Sequence, residues 1–353
     1  MPQIDALLAY LKAEGGSDLH LAAGLEPRIR RRGSLEAVEG WRPQSDADIR
    51  GLLQPIARQD QWSSFERDND LDFAYGLEGV ARFRANYFVQ EKGAGAVFRI
   101  IPEEIVPLEK LNLPPVIDRF TELRKGLVLV TGPTGSGKST TLAAIIDRIN
   151  RKQRKHVVTL EDPVEFVHQN KNCVFSHREI GNHTQSFANG LRAAIRQDAD
   201  VILVGEMRDF ETISLAITAA EMGMLVFGTL HTNSAAKTID RIVDSFPSDQ
   251  QSQARLSLSE SIAGIVAQLL LPTADGKGRR ACVEVLVRTP GLPNIIREGN
   301  MAMLKSLIQS GKKDGMQAMD DALMALVEDG TVSAQDAYMK ALDKARFEKL
   351  LPA

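Results

Sequence analysis

The sequence predicts an α/β protein of two unlike parts, the second built on a parallel sheet covered by helices on both faces. Three observations carry that prediction. Four short, nearly continuous apolar runs lie in the second part, at residues 127–130, 157–160, 201–204 and 225–230. Helical patterns separate them, as in Leu142, Ile145, Ile146 and Ile149. Strands apolar on both faces and alternating with helices indicate a parallel sheet with no wet side. Ahead of these runs Pro102, Pro107, Pro114 and Pro115 cluster. Proline disfavours regular structure, which places a linker at 102–115. The length of 353 residues accommodates two or three domains at about 100–200 residues each.

The first part reads as mixed α/β. Ile4, Leu7, Leu8 and Leu11 share one helical face, and Gly15 and Gly16 end that helix. Across 80–89, Phe83, Ala85, Tyr87 and Val89 alternate with Arg82, Arg84, Asn86 and Phe88, which is the period of a strand. Gly93 and Gly95 precede a second apolar run at 96–101. From about residue 290 the pattern turns helical, broken at Gly291, Gly299, Gly311, Gly315 and Gly330. The expected organisation is therefore 1–101, a linker at 102–115, an α/β core at 116–289 and a helical C-terminal subdomain at 290–353.

Composition excludes several classes. Hydrophobic residues make up 43% and charged residues 25%, as in globular rather than disordered or fibrous chains. The 43 Lys and Arg against 46 Asp and Glu give a formal charge of -3, which argues against nucleic acid as the main partner. The densest basic run, 28–32, contains no aromatic residue and reads as a solvated strand edge. Cys173 and Cys282 lie too far apart for a zinc ribbon or a disulfide framework, as expected in a reducing cytosol. No stretch approaches the roughly 18 apolar residues of a membrane span; the run 265–271 is interrupted by Gln268. The N-terminus carries Asp5 within its apolar pattern and no basic leader, so an intracellular location is expected.

Gly132, Pro133, Thr134, Gly135, Ser136, Gly137, Lys138 and Ser139, followed by Thr140, fit the P-loop pattern GxxxxGK[ST]. A strand leads in and an amphipathic helix leads out. Glycines let successive backbone N–H groups turn inward around a phosphate, and the helix adds its positive end. Lys138 would reach the β- and γ-phosphates of ATP, and the Ser139 hydroxyl would ligate magnesium. Three further strand ends point to the same crevice, which in open parallel sheets lies beyond the carboxyl ends of the strands. The run 157–160 leads to Glu161 and Glu165, 201–204 to Glu206, and 225–230 to His231. Glu206 would hold the magnesium through water or orient the attacking water, while Glu161 and Glu165 compete for the general-base role. His231, beside Thr229 and Thr232, would sense the γ-phosphate. Each has a plainer alternative, since acids after buried strands also cap helices and imidazole also satisfies local backbone.

The ordered set of motifs resembles the type IV pilus retraction ATPases of the secretion-type motor superfamily. Its carriers are 16–21 (GSDLHL), 82–86 (RFRAN), 96–99 (AVFR), 160–165 (LEDPVE), 201–209 (VILVGEMRD) and 228–232 (GTLHT), which together run over nearly the whole chain. The resemblance implies a PAS-like N-terminal α+β domain and a RecA-like P-loop domain with ATP between them. It implies a homohexameric ring on the cytoplasmic face of the inner membrane, held there through the pilus platform protein and acting indirectly on the pilin fibre. It also implies that Arg84 and Arg99 complete the site across a moving interface; their alternative is a surface-facing strand arginine. The two cysteines cannot supply the four-cysteine metal site usual in extension ATPases, which favours retraction.

Departures from the family pattern are Met224 in place of a histidine, Gln197 and Ala199 before the third run, and Pro293 in place of an arginine. They leave an accessory paralogue as an alternative. A P-loop small-molecule kinase would need a basic lid segment, and a ring helicase would need a cationic, aromatic-bearing track. The sequence displays neither.

Overall fold

The computed structural model describes residues 3–102 and 104–351. Its chain divides into two compact units, one of Met1–Glu104 with Pro163–Phe166, the other of Ile105–Asp162 with Val167–Ala353.

In the first unit, α1 (Gln3–Ala13) precedes strands β1 (Asp18–Ala22), β2 (Arg28–Arg31) and β3 (Ser34–Ala37). Helices α2 (Asp46–Leu53) and α3 (Gln59–Asp68) then lead to β4 (Asp70–Leu77), β5 (Ala81–Gln90) and β6 (Gly93–Ile101). The strands form one sheet in the order β3-β2-β1-β6-β5-β4. Its inner face buries Leu19, Leu21, Ile29, Phe83, Ala85, Tyr87 and Phe98 with Ile4, Leu7, Leu8 and Leu11 of α1. The period-2 pattern holds from Phe83 to Tyr87, with Arg82, Arg84 and Asn86 on the other face, but Val89 near the strand's end is exposed rather than buried. The basic run 28–32 is not a sheet edge: β2 lies between β1 and β3, and β3 is the edge. Ile29 inserts into the core while Arg31 is held by Glu14 at 2.9 Å and Glu36 at 2.5 Å, which accounts for an interior strand with so many arginines.

The second unit opens with α4 (Val116–Arg119) and alternates β7 (Gly126–Thr131), α5 (Lys138–Lys152), β8 (His156–Glu161), β9 (Val174–Glu179) and α6 (Phe187–Ala194). It continues through β10 (Val201–Val204), α7 (Phe210–Glu221), β11 (Leu225–Leu230), α8 (Ala235–Asp244), α9 (Gln251–Ser261), β12 (Ile262–Pro272) and β13 (Arg279–Val287). Helices α10 (Leu292–Glu298), α11 (Met301–Ser310), α12 (Met319–Glu328), α13 (Ala334–Lys340) and α14 (Lys344–Glu348) complete it. Pro293 sits in the first turn of α10, where its missing N–H costs no helical bond. The sheet order is β13-β12-β7-β11-β10-β8-β9. It is parallel from β12 to β9, and β13 runs antiparallel to β12, so the sheet is mixed at one edge.

Successive residues of the buried strands enter different cores. Leu127 and Leu129 pack with Ile213 and Ile239, whereas Val128 and Val130 pack with Leu142, Ile145, Ile146 and Ile149. Burying each such side chain contributes about 1.5–3 kcal/mol, so both faces must be covered for these strands to be stable. Residues just before α4 also belong to this unit. Leu108 is buried, and Arg148 of α5 bonds Glu109 and, at 2.9 Å, Asp118. Among the described residues no helix is long and apolar enough to cross a membrane.

Candidate active site

Residues 132–137 follow β7 directly. Gly132, Gly135 and Gly137 adopt φ of 147°, 78° and 86°. A Cβ at Gly132 would stand 2.2 Å from the Gln268 carbonyl oxygen and 2.6 Å from Ser136 Oγ, so only glycine lets the loop lie this close to β12. Helix α5 begins at Lys138, and its N-terminal N–H groups open onto the loop. Lys138 Nζ donates to the carbonyls of Gly132 at 2.8 Å and Pro133 at 3.1 Å, which sets the ammonium at the loop's mouth. Pro133, Thr134 and Gly135 are exposed, and Lys138, Ser139 and Thr140 are half-buried. Ser136 is buried with no hydrogen-bond partner for its hydroxyl, an orphan polar atom inside the cradle.

The neighbouring strands supply the rest. In the order β7-β11-β10-β8, adjacent strands lie about 4.8 Å apart, so their carboxyl ends step away from the P-loop by roughly 5, 10 and 14 Å. His231 follows β11, the nearest, and Glu206 follows β10 by one glycine. Gly205 is closely packed: a Cβ would stand 3.1 Å from the Leu160 carbonyl and 3.2 Å from Glu161 Cα, so a larger residue would press on the backbone of β8. Thr229 Oγ1 donates to the Gly205 carbonyl at 2.5 Å and the Met207 N–H donates to the Thr229 carbonyl at 3.0 Å, which fixes the turn that carries Glu206.

Glu206 Oε1 is 2.8 Å from His231 Nε2 and 2.5 Å from Arg208 Nε. Partial burial pushes the Glu206 carboxyl up, but the Arg208 guanidinium and His231 outweigh it and hold it below the usual range. It is therefore ionised at neutral pH. Glu161 ends β8 almost fully buried, in register with Glu179 of β9, and is the most remote of the three along the sheet. Glu165 is exposed and groups with the first unit, in Pro163–Phe166.

Two residues passed over in sequence brace this site. Gln268, noted only as a break in an apolar run, is a buried residue of β12. Its Nε2 donates to the Ser136 carbonyl at 2.7 Å, and its Oε1 accepts from Thr141 Oγ1 at 2.8 Å. An amide left unpaired there would cost about 1–3 kcal/mol, so its pairing explains its presence. Glu284 of β13, also buried, accepts from the Ala235 N–H at 2.7 Å and so holds the start of α8, four residues after His231. A polar residue inside an apolar strand pattern was the available signal for both.

In the first unit, Arg84 and Arg99 are direct cross-strand partners on β5 and β6, on the face opposite the core. Arg99 Nε donates to Asp18 Oδ1 at 2.7 Å. Burial of Asp18 opposes its ionisation, but Ser17 and Arg99 prevail and lower its pKa. Arg84 Nε donates to both Asp72 carboxylate oxygens at 3.2 Å. Asp18 lies in the 16–21 motif, and its bond to Arg99 gives that motif a structural role.

These features accompany a close relationship to known proteins. The family model described as type II/IV secretion system protein matches residues 68–281. The type IV pilus retraction ATPase PilT of Pseudomonas aeruginosa is 48% identical over 96% of this chain and 98% of its own length. The chain belongs to the type IV pilus retraction ATPases of the type II/IV secretion family. A twitching motility protein of Neisseria gonorrhoeae is 47% identical over 89% of this chain and 84% of its own. The crystal structure of the pilus retraction motor PilT with bound ADP superposes with a TM-score of 0.91 at 41% identity, covering 98% of this chain and 99% of that one. As a member of this family the chain is an ATPase with the two-domain secretion-ATPase fold.

The cradle suits a nucleotide's phosphates, given its left-handed glycines and the orphan Ser136 hydroxyl. For magnesium, no three His, Cys, Asp or Glu side chains converge among the described residues. The oxygens present at the site, the Ser139 hydroxyl and the Glu206 carboxylate, are hard donors of the kind that ion takes alongside phosphate and water.

Proposed function

We propose that the chain powers type IV pilus retraction by hydrolysing ATP at the P-loop of residues 132–140. The observation that carries this reading is the gathering of Lys138, Glu206 and His231 at the carboxyl ends of β7, β10 and β11, in a chain nearly half identical to a pilus retraction ATPase. The loop N–H groups and Lys138 bind the β- and γ-phosphates. Ser139, with Glu206 through water, would hold magnesium, which when bound neutralises charge on the phosphate oxygens. The ionised Glu206 accepts a proton from the attacking water, and His231 keeps that carboxylate aimed. Glu161 is a second carboxylate for that role, and Glu165 a third. Arg84 and Arg99 offer guanidinium groups for the transferred phosphoryl, supplied by another copy of the chain in a homohexamer.

The proposed place of work is the cytoplasmic face of the inner membrane, beneath the pilus platform protein. Pili and twitching in a deletion strain test the reading. If the chain drives retraction, the deletion strain has long, non-retracting pili and no twitching, and the unaltered gene, but not one encoding Lys138→Ala, reverses both defects. Absent pili would assign the chain to assembly instead.

A further inference from the structure

We propose that Gln268 is a positioning residue for the phosphate loop, its carboxamide aiming the Gly137 N–H into the cradle. The proposal rests on reading 132–139 as the phosphate site. The argument begins with one peptide plane. The Ser136 carbonyl and the Gly137 N–H belong to the same trans peptide and point in opposite directions. Gln268 Nε2 holds that carbonyl at 2.7 Å, on the β12 side. The N–H is thereby turned away from β12, toward the loop interior.

The Ser136 carbonyl can only accept, so it draws the NH2 end of the carboxamide to the loop, and Thr141 Oγ1 then donates to Gln268 Oε1 at 2.8 Å. The loop carbonyl requires a donor at this position, which a carboxamide or a protonated acid supplies and a carboxylate does not. A Cβ at Gly137 would come within 2.8 Å of Gln268 Nε2, and a Cβ at Gly132 within 2.2 Å of the Gln268 carbonyl oxygen. The Gly137 contact is with the carboxamide itself, whereas the Gly132 contact is with backbone that any residue at 268 would present.

The test uses the full chain and magnesium ADP, with affinity read by calorimetry and folding by thermal melting. Gln268→Ala should remain folded and bind magnesium ADP about tenfold more weakly, the worth of one backbone donor turned out of place. Gln268→Glu separates positioning from packing. Near pH 8 its carboxylate faces the Ser136 carbonyl and binding should be weak. Near pH 5.5 the protonated acid donates to Ser136 and accepts from Thr141, and most of the deficit relative to unaltered protein at the same pH should disappear. Unaltered affinity in folded Gln268→Ala, or a Gln268→Glu deficit that ignores pH, would overturn the proposal alone. Full ADP affinity in Lys138→Ala would overturn the phosphate-site reading, and this proposal with it.

Discussion

Arg99 reaches across from β6 to Asp18 of β1, placing an exposed guanidinium on an almost fully buried carboxylate at 2.7 Å. The two residues are cross-strand neighbours, so the pair is set by sheet register rather than by chance surface contact. Asp18 needs this partner because its burial would otherwise oppose its charge. Replacing it with Asn should destabilise the first unit by about 1–3 kcal/mol at neutral pH, the usual cost of disturbing a buried hydrogen-bonded group.

The pH dependence of that loss has a definite sign. The folded pKa of Asp18 lies below its unfolded value, so its contribution is complete above about pH 4 and fades as pH falls through the folded pKa. Denaturant unfolding at neutral and strongly acid pH should therefore find the gap between unaltered protein and Asp18→Asn closing in acid. A gap that widens there would contradict the pairing.

Glu206→Gln removes the proton acceptor while keeping size and most hydrogen bonds. Nucleotide binding should survive within a few-fold and kcat should fall by about 10²–10⁴. Single-turnover hydrolysis alongside ADP titration separates the two effects. His231→Ala should lower kcat by less, with little change in KM, because Arg208 still contacts the carboxylate at 2.5 Å.

The glycines of the loop are not equivalent. Gly132→Ala forces a Cβ against the Gln268 carbonyl, at a φ of 147°, and should cost more than about 3 kcal/mol or prevent folding. Gly135→Ala meets nothing within 4 Å at a φ of 78° and should cost only about 1–2 kcal/mol. Melting temperatures of the two variants check that order, and a reversed order would refute the packing described here.

Much of this fold and site was visible in the amino-acid order, for an identifiable reason. The strands β7, β8, β10 and β11 are buried on both faces, so their apolar runs are uninterrupted, and the stripe Leu142, Ile145, Ile146 and Ile149 is fully internal. By contrast β9 is an edge strand whose residues 174–179, VFSHRE, alternate too weakly to stand out. Strand order is equally hidden, since nothing within 28–32 tells an interior strand from an edge. The bonds of Gln268 to Ser136 and Thr141 span 132 and 127 positions, and no local pattern encodes such a meeting. Lys138 is legible from the glycine-rich loop between a strand and a helix, and Glu206 and His231 because they stand within two residues of a recognisable strand end. The braces of the loop and of α8, Gln268 and Glu284, come instead from β12 and β13, far along the chain.

Steady-state ATP hydrolysis by the purified full-length chain, compared with a folded Lys138→Ala variant, puts the mechanism to its most direct test. The account predicts magnesium-dependent turnover in the first and none above background in the second. Turnover at an unaltered rate by Lys138→Ala would place the chemistry somewhere other than this loop.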